Sequence, residues 1–150
     1  AQVTAGVSTF IPKPHTPLQW VPMEGMESLR AKQEYLRNKK KSRKIKMAFH
    51  NPQMSLLEGV ISRGDRRLSG VISRVFTAGG RFDAWDNHFR YDLWEKAFQD
   101  SGLDPLAYLR ERRPEAILPW DFLDVGVEKQ SLVSDYAKAM ELINALGREG

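Results

Sequence analysis

Lys13, His15, Thr16, Gln19 and Trp20 fall in one short stretch and together offer an ammonium, an imidazole, a hydroxyl, a carboxamide and an indole. Such a set suits contact with a polar ligand. Pro12, Pro14 and Pro17 are interleaved with it. Each proline fixes φ and removes an N–H donor, so the stretch is predicted to leave the preceding element extended, with these side chains held out. His15 is the strongest candidate for ligand contact. The alternative is a Pro-rich wall that packs on its neighbours without a ligand.

Other groupings carry less chemistry. His88 lies with Asp83 and Asp86 in RFDAWDNHFR, but a cation site needs converging ligands, and a turn does not guarantee them. Helix capping and arginine pairing is the simpler role there, and no metal is assigned. His50 precedes Asn51-Pro52, where capping or a turn hydrogen bond accounts for it. Asp121 and Asp124 read as turn and cap residues rather than as an acid and base pair. No Gly-rich phosphate loop, nucleophile elbow or zinc spacing is present, and no catalytic residue is assigned.

Two cationic features point to anions. Arg66 and Arg67 stand at a predicted helix start, where the positive end of the helix repels them; an anionic partner or a nearby carboxylate would offset that cost. Between Arg30 and Lys46 nine Lys and Arg residues face one acid, Glu34. Lys39, Lys40 and Lys41 are its densest part, and clustered cations of this kind bind phosphate backbones. The alternative is a solvated helix face. No aromatic residue interleaves the lysines after Tyr35, so base stacking is not indicated.

The elements that must position these groups follow from period and punctuation. Val3, Ala5 and Val7 alternate with polar or small residues, as do Ile45, Met47 and Phe49, and both runs are predicted strands. Helices are predicted over about Met23 to Lys41, from a Ser55 cap to near Gly64, and from an Asp65 cap to Gly79-Gly80. A further helix capped by Asp86 or Asn87 should end at Gly102, and a short one should open at Asp104-Pro105. Arg113 to Gly126 is expected to be extended or looped, with Trp120 and Phe122 on the core. Leu132 to Leu146 marks the last helix. A strand ending in a rigid polar segment suits the carboxyl rim of an α/β barrel.

FIPKPHTPLQW (Phe10 to Trp20) closely resembles the phrase that follows a late barrel strand in cobalamin-associated radical S-adenosylmethionine proteins. HNPQMSLLEGVISRGDRRL, GGRFDAWDNHFRYDLW, LPWDFLDVGVEK and LVSDYAKA resemble further stretches of one uncharacterised subfamily, so the likeness covers nearly all of the chain. It implies a helix-rich α/β fold. Residues 1–50 would form the end of a partial (β/α) barrel and 51–150 a helical extension packed on it. It further implies S-adenosylmethionine near Ser8, Phe10 and Pro12, and substrate near Lys13, His15, Thr16, Gln19 and Trp20.

The family holds a 4Fe-4S cluster through a C-x-x-x-C-x-x-C loop, and this chain has no cysteine. It therefore holds no such cluster by thiolates. The chain is expected to be a piece of a longer polypeptide whose upstream part supplies the cluster, the rest of the barrel and a cobalamin-binding-like domain. That upstream part is its expected partner. Alternatives are an RNA- or ribosome-binding module using the basic stripe, or a structural interaction domain. The 150 residues carry a net charge of +4 and a mean hydropathy of -0.49. No apolar run approaches the ~20 residues of a bilayer span, and zero cysteines fit a cytoplasmic setting.

Overall fold

Val3–Val7 (β1) and Ile45–Phe49 (β2) pair in parallel, with Val3 opposite Ile45 and Val7 opposite Phe49. In this computed structural model, which describes residues 2–147, they form a two-stranded sheet. Five α-helices accompany it: α1 (Met26–Lys39), α2 (Pro52–Arg63), α3 (Leu68–Thr77), α4 (Tyr91–Asp100) and α5 (Lys129–Leu146), with a 3-10 helix at Pro105–Leu109. The described residues thus form a small α/β protein. No described helix is long and apolar enough to cross a membrane.

Register partners in parallel strands project to the same side, so Val3, Ala5, Val7, Ile45, Met47 and Phe49 share one apolar face. Yet neither strand contributes a buried residue, and Val3 is 59% exposed. The core lies instead among the helices. Met23 and Leu29 join Leu56, Val60, Val71 and Trp94 in the main cluster, and Trp20, Leu118, Trp120 and Leu132 form a second. Tyr136 of α5 meets Trp20 edge-on at 5.3 Å between ring centroids.

Arg63, wholly buried at the end of α2, ties these parts together. Its guanidinium donates to the carbonyls of Tyr108 (3.0 Å), Val21 (2.8 Å) and Arg110 (2.7 Å). Burial, with the Arg112 guanidinium adding repulsion, pushes its pKa down to about 10, so it is still charged near neutral pH. Three carbonyl dipoles in place of a carboxylate satisfy the charge and lock the connection before α1 to the 3-10 helix.

Several boundaries differ from the sequence expectation. Helix α1 begins at Met26, because Met23 turns into the core and its N–H donates to the Leu109 carbonyl at 2.9 Å. Helix α2 is capped by Asn51, whose Oδ1 accepts from the Gln53 N–H, with Pro52 at the first helical position; Ser55 is buried inside the helix. Asp65 closes a turn on the Arg67 N–H, and α3 starts at Leu68. Neither Asp86 nor Asn87 caps α4, which follows Arg90. Asp104 does accept from the Leu106 N–H. Phe122 is 72% exposed, whereas Trp120 is in the core.

Candidate functional site

The Pro-rich stretch does not stay extended. Thr16 Oγ1 donates to the Lys13 carbonyl at 2.7 Å, and the Gln19 N–H donates to the Thr16 carbonyl at 3.1 Å. The His15 N–H donates to Gln19 Oε1 at 3.0 Å, and His15 takes a left-handed φ of 55°. That region is uncommon for a residue with a side chain and marks local strain. The turn buries Gln19 and Trp20, which the sequence reading had presented outward, because the large indole finds the second core. The Trp120 indole N–H then donates to Gln19 Oε1 at 2.7 Å.

The segment before α5 closes over this turn. Asp121 Oδ2 accepts from the Leu118 N–H (3.0 Å) and from Lys129 Nζ (2.8 Å), and Lys129 also donates to the Ala116 carbonyl (3.0 Å). Partial burial raises the Asp121 carboxyl, but the Leu118 N–H and the Lys129 ammonium outweigh it, helped by His15, and hold it below the ordinary aspartate value. Asp124 Oδ1 accepts from the N–H of Gly126 at 2.8 Å, and Gly126 supplies the left-handed φ of 73° that this turn needs. Between the two segments lies a cleft of about 320 Å³ lined by His15, Gln19, Asp121, Asp124 and Lys129, with Phe122, Leu123, Val127 and Leu132 as apolar walls.

A second cleft, of about 370 Å³, sits at the carboxyl end of the strands and is lined by His50, Asn51, Glu58 and Asp86 among others. Lys13 reaches this side, with Nζ 2.6 Å from Glu58 Oε1 and 2.9 Å from Ser62 Oγ. His50 is held through its backbone, whose N–H donates to the Val7 carbonyl and whose carbonyl accepts from Gln33 Nε2. Just beyond β1, Ser8 and Phe10 are exposed while Pro12 is buried.

The remaining candidates are dispersed. Arg67 pairs with Asp65 at 2.7 Å and lies over the Tyr108 ring, while Arg66 is exposed. Lys39 lies over Tyr35. Lys40 and Lys41 are exposed in the connection leading into the amino end of β2, the far end of the sheet from His50. Asp83 accepts from the Trp94 indole N–H, and the His88 ring lies 5.9 Å from Phe82. Among the described residues no three His, Asp or Glu side chains are placed to hold a metal ion.

Sequence reasoning missed Arg63, Glu58 and Lys129. All three act on groups at least eight positions away, and no local period signals them. No family model matches the chain, and no curated protein or solved structure does so either.

Proposed function

We propose that this chain is the carboxyl-terminal part of a radical S-adenosylmethionine enzyme, supplying the end of its partial barrel and a wall on the substrate side. The observation that carries the reading is the bare sheet. Parallel sheets are normally covered on both faces, yet this parallel pair has no buried residue, and among the described residues each strand has a free edge. A strand, a helix and a parallel strand make one β/α repeat, and further repeats on either edge would cover what is exposed. Ser8 and His50 stand one position beyond the last register pair, Val7 and Phe49. That is the carboxyl end, where α/β barrels hold their ligands.

Ser8 and Phe10, exposed beside the bare strands, fit contact with S-adenosylmethionine; buried Pro12 would act only by packing. His15, Gln19 and Lys13 would contribute to the wall, Trp20 by supporting it from the core. The residues present do not fit a 4Fe-4S cluster, since no thiolate is available. On this reading the cluster, and any cobalamin, would be held by an upstream part of the polypeptide. The test is anaerobic reconstitution of the polypeptide that contains this chain. It should bind iron and sulfide and cleave S-adenosylmethionine reductively to 5′-deoxyadenosine, while the 150-residue chain alone does neither. A full polypeptide without cluster or cleavage overturns the reading.

A second reading, RNA binding, is favoured by one observation. Lys40, Lys41, Arg43 and Lys44 are exposed or partly exposed and form no ion pair among the described residues. At the amino end of β2, away from Ser8 and His50, they would form a docking surface.

A further inference from the structure

We propose that the cleft between His15 and the 121–129 segment binds an organic cation: a primary ammonium beside a carbonyl, carried on a small apolar body, as in an amino-acid amide or the amino end of a peptide. The assignment concerns the cleft alone and stands whether or not the chain completes a barrel.

Charge selects the ammonium. Lys129 is taken up by Asp121 and the Ala116 carbonyl. Asp124 has no cationic partner among the described residues, and its only hydrogen bond there is from the Gly126 N–H. The cleft thus keeps one uncompensated carboxylate in a chain of net charge +4. An anionic ligand would meet that carboxylate and be repelled.

Gln19 points to the rest of the ligand. Gln19 is 2% exposed, its Oε1 is taken by the His15 N–H and the Trp120 indole, and its Nε2 donates to no described residue. Gln19 lines the cleft, and a ligand carbonyl would accept from that amide N–H. His15 shares that wall, so its ring protons report on an occupant. The strained φ of His15 is what places the imidazole on the cleft wall.

The apolar body has its wall in Leu123, Val127 and Leu132, and Phe122, 72% exposed, presents an aromatic ring that can lie over a cation. The volume, about 320 Å³, is that of a small-molecule site.

The probe is leucinamide at pH 6.5 and low salt, where its amine is protonated. Controls are N-acetyl-leucinamide, which lacks the charge, and 4-methylpentanoate, which reverses it. Binding to the 150-residue chain is followed by calorimetry and by shifts of the His15 ring protons. Leucinamide should bind with a Kd on the order of millimolar, as expected for so small a ligand, and the controls should not bind. Asp124→Asn keeps an oxygen for the Gly126 N–H, so its melting temperature should match wild type while leucinamide binds about tenfold more weakly. Phe122→Ser, at an exposed position, should weaken it severalfold. The proposal is overturned by 4-methylpentanoate binding as tightly as leucinamide, by no shift at His15, or by full-strength binding to Asp124→Asn.

Discussion

Gln19 and His15 are near neighbours with opposite roles. The sequence places both on a stretch expected to hold its side chains out. Gln19 is instead a buried acceptor for two donors, the His15 N–H and the Trp120 indole. Gln19→Leu should lower stability by about 2 kcal/mol, since both donors are left without a partner, read as a lower urea midpoint at unchanged slope. His15→Ala should stay within about 1 kcal/mol of wild type, because it removes a partly exposed ring and keeps a strained backbone. Equal losses would show that the imidazole is a packing residue rather than a group held ready for a ligand. Arg63 is the most demanding single position. Arg63→Met should cost about 3 kcal/mol by removing the charged donor shared by three carbonyls, and Arg63→Lys should not rescue it, since a point charge lacks the planar fork that spans all three.

At the scale of elements, the ends matter more than the middles. Helix α2 carries the Glu58 and Arg63 contacts and begins at an Asn51 cap. Asn51→Ala should cost about 1 kcal/mol, visible as a drop in melting temperature, whereas Ser55→Ala tests no cap. Helix α5 is anchored at its amino end, where Lys129 meets Asp121 and Leu132 is buried; Leu142, Ile143 and Leu146 beyond it are exposed. Because the Asp121 carboxyl lies below the ordinary aspartate value when folded, its stabilisation is fully present above about pH 3.9 and fades as pH falls through the lower folded value. Asp121→Asn should therefore be less stable than wild type at pH 7 and lose less than wild type on acidification below pH ~4. Parallel acid unfolding curves would contradict that account.

At the scale of the whole molecule, stability is distributed unevenly: the helices around Arg63 hold the buried residues and the sheet holds none. Amide hydrogen exchange should show β1 and β2 opening far more readily than α2, and addition of the upstream polypeptide should protect the strands selectively. Unchanged strand exchange in the longer polypeptide would count against barrel completion. The basic connection is tested by salt. RNA affinity should fall linearly in log salt, and Lys39, Lys40 and Lys41 changed together to Glu should remove about three contacts' worth of slope, each near −0.7 on single strands. Equal binding by wild type and variant would leave the stripe as a solvated surface.

Local chemistry is legible in the sequence. Period-two alternation marks β1 and β2, the i, i+3, i+4 spacing of Leu68, Val71, Ile72 and Val75 marks α3, and Asp104-Pro105 marks the 3-10 helix. The absence of cysteine alone rules out a thiolate-held cluster on this chain. Boundaries drifted where two polar residues competed for one cap, as Asn51 and Ser55 did, because capping depends on which backbone N–H the folded turn exposes. Only the tertiary structure decided that Gln19 would meet Trp120 across 101 positions, that Arg63 would be caged by carbonyls, and that Asp121, Asp124 and Lys129 would face His15. Those placements come from burying large side chains in shared cores, a property of the packed chain that no local period encodes.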